Sequence, residues 1–362
     1  MWVYALLLAV VLVLLIASSI YIVKLTYKIT SKYINNKLIS RLLSFLPLLL
    51  FAFGIYIDMV NAIVVDIHLI VIIVLTKLLF YIIKRISKKE ISEYIVFSIG
   101  VLITTIILIN AYHQAYNVIK TSYVINTEKS IGIENFRIVQ ISDSHIGTTM
   151  DGKKFSKYME DINELNPDIV VLTGDFIDDG TSYTDMCDAA LGLGNLKTKY
   201  GVYFVYGNHD KGYYNRDFQE ARLKEELEKN NVKILEDNAV DITNDIILVG
   251  RQDKEVKDRI DAITLTKDLD KNKYIIMLDH QPNDYDNEKL SGADLVLSGH
   301  THGGQLIPLG QFGLLLGSND KIYGMEKRDN TTFIVNSGIS DWAIKFKTGT
   351  VSEYVVIDVK NN

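Results

Sequence analysis

Asp168-Ile169-Val170-Val171-Leu172-Thr173-Gly174-Asp175 sets the reading of the second half of this chain. Its apolar run is too short for a helix, is mostly β-branched, and matches a strand buried on both faces. It ends in a glycine followed by a carboxylate. Working outward, the same kind of ending recurs. Phe136 to Ile141 runs into Ser142-Asp143-Ser144-His145, and Gly201 to Tyr206 into Gly207-Asn208-His209-Asp210. Tyr274 to Leu278 runs into Asp279-His280, and Asp294 to Leu297 into Ser298-Gly299-His300-Thr301-His302.

Between these runs the spacing turns helical. Phe155, Tyr158, Met159, Ile162 and Leu165 repeat on one face until Asn166-Pro167 ends the helix. Further helices are expected at about Thr184–Lys197, Arg216–Asn230 (Leu223 and Leu227 inward) and Arg259–Leu269. Short strands are expected near Val232–Leu235, Ile246–Val249, Thr332–Val335 and Val351–Ile357. Apolar strands alternating with amphipathic helices define an α/β fold, and such folds gather their sites at the C-terminal ends of strands.

Five of the seven histidines lie in these strand endings, with His68 and His113 outside them. Imidazoles mixed with carboxylates, and no set of thiolates, suit Mn, Fe, Zn or Ni. Asp143-x-His145 and His300-x-His302 each place two side chains on one side of an extended turn. Asp175 is the natural carboxylate to bridge two ions, and Gly174, Gly207 and Gly299 remove side chains where backbones crowd them.

The order D-x-H, G-D, G-N-H-D, single H, G-H-x-H across residues 143–302 resembles the calcineurin-like metallophosphoesterase family. Gly303-Gly304-Gln305, Arg251-Gln252-Asp253 and Asn336-Ser337-Gly338 resemble its membrane-associated bacterial branch. The resemblance implies a four-layer αββα sandwich of two mixed sheets over residues 136–362, holding two divalent transition-metal ions, with Mn favoured. It implies Asp143, His145, Asp175 and His302 as ligands of the first ion, and Asp175, Asn208, His280 and His300 as ligands of the second. It makes His209 the catalytic histidine and Asp210 its supporting acid, holding the far ring nitrogen. Ser144 departs from the leucine common in that position, and Lys345 from a common arginine.

Residues 1–112 read differently. Apolar stretches at about 2–23, 42–60, 62–83 and 91–112 are each long enough to cross a bilayer and make an all-α, four-helix transmembrane region. Residues 113–135 read as a connector with a strand at Ser122–Asn126. Lys24, Lys28, Lys32, Lys37 and Arg41 lie in the first link and Lys84, Arg85, Lys88 and Lys89 in the third, so both are expected in the cytoplasm. The chain is then a multi-pass cell-membrane protein with an extracytoplasmic catalytic domain. Asp58, Asp66 and His68 gather at the opposite interface.

Residues 113–362 carry 28 Lys or Arg against 40 Asp or Glu, which argues against nucleic acid as a partner. The single cysteine, Cys187, excludes an intrachain disulfide and reads as a small buried residue. The expected partners are the lipid bilayer and a phosphorylated, amphiphilic small substrate. The expected function is hydrolysis of a phosphoester or pyrophosphate by metal-activated water. The substrate is expected to be lipid-linked, such as a UDP-diacylglucosamine-like molecule or a phospholipid headgroup. The alternative is a non-catalytic metal-binding sensor or scaffold at the membrane.

Overall fold

The computed structural model describes residues 2–211 and 220–361. The chain divides into two compact units, Met1–Asn110 and Ala111–Asn362. The expected helix Arg216–Asn230 lies partly outside the described residues.

The first unit holds α1 (Trp2–Tyr33), α2 (Lys37–Ser44), α3 (Leu46–Ser87) and most of α4 (Glu93–Tyr116). α3 is broken at Asp58, whose φ of −154° and ψ of 89° are extended. A Cβ built on Gly54 would lie 3.4 Å from the Ala62 Cβ, whereas residues eight apart on one helix are separated by about 12 Å. The chain therefore folds back at Asp58, whose carboxylate caps the following helix by accepting from the Asn61 amide at 3.2 Å.

Burial in this unit is inverted. Ser18, Ser40, Ser44, Asn61, Asp66, Thr76 and Thr104 are buried, while Val13, Leu49, Phe53, Val74, Leu78 and Ile106 are exposed. In water that arrangement is unfavourable; in hydrocarbon it keeps polar side chains such as Asn61, Thr76 and Thr104 inside the bundle with hydrogen-bond partners. Lys37–Ser87 and Glu93–Tyr116 are each long and apolar enough to cross a membrane.

The second unit follows ordinary burial. One sheet contains β1 (Ile119–Thr127), β2 (Asn135–Ile141), β3 (Ile169–Thr173), β4 (Gly201–Val205), β5 (Val232–Ile234) and β12 (Glu353–Asn361), in the order β1-β12-β2-β3-β4-β5. The other contains β6 (Asn238–Asp241), β7 (Ile246–Gly250), β8 (Tyr274–Leu278), β9 (Leu295–Ser298), β10 (Gly324–Arg328) and β11 (Thr331–Val335), in the order β10-β11-β9-β8-β7-β6. Both mix parallel and antiparallel pairs. The segment read as a connector contributes β1, which pairs with β12 over its full length.

The two-residue side-chain period sorts each strand into two cores. Ile138, Ile169, Val171, Tyr203 and Val205 face inward against Leu248, Ile276, Leu278, Leu297 and Ile334 of the other sheet. Their neighbours Val139, Val170, Leu172, Val202 and Phe204 face outward onto α5 (Gly152–Asn163), α6 (Tyr183–Gly194) and α7 (Glu220–Lys229). The other outer face packs Ile247, Ile275, Met277 and Phe333 on α8 (Ala262–Thr266) and α9 (Tyr285–Leu290). The result is the four-layer αββα sandwich. Cys187 on α6 is half-buried, not fully buried as its sequence context suggested, and burial pushes its thiol pKa up.

Phe204 is fully buried between the rings of Phe176 and Tyr206. Phe204→Ala is expected to cost about 3–5 kcal/mol and to lower the melting temperature by on the order of 10 °C. Differential scanning calorimetry of the full chain in detergent checks this; an unchanged transition would contradict the outer-layer packing.

Candidate dinuclear metal centre

The C-terminal ends of β2, β3 and β4 meet those of β8 and β9 from the opposite sheet. Hydrogen bonds join them across the sandwich. The Gln140 amide donates to the Ser298 carbonyl at 2.9 Å, and the His300 amide donates to both Asp143 oxygens at 2.9 and 3.0 Å. Asp143, His145, Asp175, His300 and His302 all have left-handed backbone, with φ of 51°, 35°, 54°, 70° and 48°. Such conformations cost about 1–2 kcal/mol per residue, so this much strain in one place belongs to a site. Gly174 has φ of 83°, and a Cβ there would sit 2.6 Å from both the Gly207 nitrogen and His280 Nδ1.

One carboxylate oxygen lies between two clusters of ligand-type atoms, belonging to the second and approaching the first. Asp175 Oδ2 lies 3.6 Å from His145 Nε2 and 3.1 Å from His280 Nε2. On one side, Asp143, His145 and His302 converge, with His302 Nε2 3.7 Å from Asp143 Oδ1. On the other side, Asp175, His280 and His300 converge. The Asn208 amide oxygen joins them, 3.2 Å from His280 Nε2 and 3.1 Å from His300 Nδ1. All seven sequence-selected ligands are thus brought together.

The donor set fits cations. Neither ring nitrogen of the fully buried His145 has a hydrogen-bond partner among the described residues. Such orphans are unfavourable unless a metal takes the lone pair. Burial pushes His145 and His300 down to about 3, which keeps them neutral as ligands must be. Burial opposes the charge on Asp175, but the surrounding imidazoles, His280 first, hold it well below the usual carboxylate range. His280 Nδ1 lies 2.8 Å from the Thr173 carbonyl; donating there leaves Nε2 aimed at Asp175.

The structure corrects the reading of Asp210. Its carboxylate accepts from the backbone amides of Asp175, Gly207, Phe176 and Ile177 at 2.8, 2.8, 2.9 and 3.2 Å. It clamps two ligand loops together. The acid that holds His209 is Asp178, whose Oδ1 is 3.0 Å from His209 Nδ1. Asp210 cannot do both tasks, because its two oxygens are committed to amides. Asp178 stands beside Asp179 just after the Gly174-Asp175 ending, a signal lost among the chain's 44 acidic residues.

Two further groups were not singled out. Buried Asp341 lies 3.5 Å from His302 Nδ1 and 2.9 Å from the buried Lys347 ammonium. Trp342 follows it, 42 % exposed, with its ring centroid 5.4 Å from that of His209. Arg251, from one branch motif, is buried against Asp279, Asp284 and Glu288 at 2.8, 2.8 and 3.2 Å. It anchors the loop that carries His280. Asn336-Ser337-Gly338 leads into amides that bind the Asp143 loop, Ile339 donating to the Ser142 carbonyl at 2.9 Å.

The sequence profile of the calcineurin-like phosphoesterase family matches residues 136–304. The chain is 30 % identical to an uncharacterised metallophosphoesterase of Campylobacter jejuni, over 76 % of this chain and 73 % of that one. It is also 30 % identical to an uncharacterised metallophosphoesterase of Aquifex aeolicus, over 70 % of this chain and 97 % of the relative. A Danio rerio protein described as a transmembrane protein with a metallophosphoesterase domain is 32 % identical, over 63 % of this chain and 54 % of its own length. The chain belongs to the calcineurin-like metallophosphoesterase family, whose members bind two divalent ions, and it is a metal-dependent phosphoesterase with candidate ligand clusters for such ions.

Burial opposes the charged form of His209, but the Asp178 hydrogen bond and the Asp175, Asp178 and Asp210 charges outweigh it and raise its pKa. A raised histidine keeps its proton until pH climbs through that pKa. Asp178→Asn removes a charge, so the alkaline loss of kcat should move toward acid, with turnover down about 10- to 100-fold. A pH–rate profile on an ester with a poor leaving group checks it; an unmoved limb would contradict the His209–Asp178 pairing.

Proposed function

We propose that the chain is a membrane-anchored hydrolase of a phosphoester or pyrophosphate bond in an amphiphilic, lipid-linked substrate, with its catalytic domain outside the cytoplasm. The observation that carries the hydrolytic reading is the Asp175 oxygen that lies between two ligand clusters beside His209. Asp143, His145, Asp175 and His302 would hold one ion. Asp175, Asn208, His280 and His300 would hold the other, with manganese favoured. Two such ions supply Lewis-acid polarisation of a phosphoryl group and a water acidic enough to attack at neutral pH.

The chain's own residues supply the rest. The Asp210 clamp and the amide bonds to Asp143 fix the two ligand loops relative to one another. Asp178 holds Nδ1 of His209, which directs Nε2 as the atom that protonates the leaving oxygen. The amphiphilic substrate class is supported by the apolar helices of the first unit, and the orientation by the basic residues of the first and third links. A UDP-diacylglucosamine-like molecule or a phospholipid headgroup satisfies the reading.

His209→Ala is expected to keep two metal equivalents and lose about 100- to 10,000-fold in turnover. The loss should be smaller on a nitrophenyl ester, whose leaving group needs little protonation. His280→Ala should lose metal as well as rate. Elemental analysis and kinetics on the full chain test both; full activity of His209→Ala on every ester would refute the mechanism. In proteoliposomes a lipid-linked diester should exceed its short-chain soluble counterpart in kcat/KM by at least about tenfold, because remote binding energy serves the reaction. Equal values would refute the amphiphilic substrate.

A further inference from the structure

Gln305-Leu306-Ile307-Pro308-Leu309-Gly310-Gln311-Phe312-Gly313-Leu314-Leu315-Leu316-Gly317-Ser318-Asn319 contains no charged residue. It begins three residues after His302 and includes α10 (Leu309–Leu315), which buries none of its side chains. Ile307, Leu309, Phe312, Leu315 and Leu316 are 58 %, 57 %, 46 %, 80 % and 58 % exposed. Five large apolar side chains in one short stretch are a patch that soluble surfaces avoid.

The surroundings of the patch point to its occupant. Gln305 donates through its side-chain amide to the Ile344 carbonyl at 2.9 Å, and the Ile307 amide donates to Thr348 Oγ1 at 2.8 Å. The same segment holds the last turn of α4: the Lys347 and Ser352 amides donate to the Ala111 and Gln114 carbonyls, each at 3.0 Å. That turn carries Tyr112 and Tyr116, stacked at 4.2 Å, and the Lys154 ammonium bonds the Tyr116 carbonyl at 3.2 Å. Tyrosines and a lysine at the end of an apolar helix mark a membrane–water interface. The patch is therefore tied, through residues 344–352, to the end of a helix able to cross a membrane.

We propose that residues 307–316 insert into the headgroup–acyl boundary of the bilayer that holds the chain's apolar helices. The chemistry is that of an interfacial helix with leucine and phenylalanine in the boundary and no charge to desolvate. α10 also packs on the turn that follows His302. A Cβ on Gly304 would lie 3.0 Å from the Gly310 Cα, so the helix rests on the turn that carries His302. Insertion thus sets the height and tilt of the metal centre above the membrane and presents it to a scissile bond at headgroup depth. The proposal rests on the membrane-anchored reading above and does not depend on which bond is cleaved.

The test uses the full chain with Cys187→Ser and Leu315→Cys, labelled with the fluorophore NBD. The protein is reconstituted in phosphatidylethanolamine–phosphatidylglycerol vesicles that carry a nitroxide high on the acyl chain. Quenching is expected at least about threefold above that of the Leu290→Cys control, as suits a side chain at the boundary; Leu290 is exposed on α9. Adding Leu309→Glu and Phe312→Glu should abolish the quenching and leave hydrolysis of a soluble nitrophenyl diester unchanged. Protein that floats with the vesicles but is quenched no more than the control overturns the docking and spares the anchor. Cross-linking of two unlabelled Leu315→Cys copies, with no quenching of the labelled protein, overturns it in favour of a second chain. Protein that fails to float with the vesicles overturns the anchor and the docking together.

Discussion

One carboxylate oxygen, Asp175 Oδ2, stands within 3.6 Å of His145 Nε2 and 3.1 Å of His280 Nε2, and the architecture of the second unit serves that juxtaposition. Asp143 and Asp175 are both buried among imidazoles, where like charges repel and desolvation is severe. A site of this kind is tolerable only when cations enter it and when the backbone cannot relax away. The sandwich meets the second condition. Ligands arrive from the ends of strands in two sheets, and the His280–Thr173 and His300–Asp143 contacts stitch those ends together. The strain of five left-handed ligand residues is held by the same stitches.

The two units obey opposite solvent rules. Residues 111–362 bury alternating faces of Val, Ile, Leu and Phe and leave an acidic surface to water. Residues 1–110 turn apolar side chains outward and gather Ser18, Asn61, Asp66, Thr76 and Thr104 inside. The second pattern has no driving force in water, whereas hydrocarbon rewards it because polar groups are kept from the lipid and apolar ones face it. Apolar exposure therefore carries opposite meanings in the two units. On the first it is the expected solvent contact; on α10 of the second it needs a specific partner.

What was legible in the sequence follows from range. The inner strands are short apolar runs, and each ends at a ligand, so β2, β3, β4, β8 and β9 could be located from neighbouring residues alone. The seven proposed ligands could be picked out because they fall in a fixed order, and the fold brings them together. β1 was only half legible: Ile119–Thr127 alternates weakly, and its place beside β12 depends on residues more than 230 positions away. α8 proved shorter than the helix expected over Arg259–Leu269, since the amide of Thr264 is already capped by Asp261. The Asp178 and Asp341 contacts were not legible at all, because a carboxylate among many acquires meaning only from the imidazole opposite it.

The tetrapeptide Gly207-Asn208-His209-Asp210 shows how far one turn can divide its labour. Gly207 lies so close to Asp175 that any side chain would collide with its carboxylate. Asn208 turns its amide oxygen to His280 and His300, while the His209 amide donates to Asp175 Oδ1 at 2.8 Å. That bond occupies Asp175 Oδ1 and would leave Oδ2, the oxygen nearer His145 and His280, for the proposed ions. Asp210 then closes the turn on the loop that begins at Asp175, accepting four amides. With Asp210 so engaged, the histidine between them needs its acid from elsewhere, and Asp178 reaches it from the far side of the same Asp175 loop. The loop that carries Asp175 thus also orients His209, so on the proposed mechanism a shift of that loop would alter metal binding and proton transfer together.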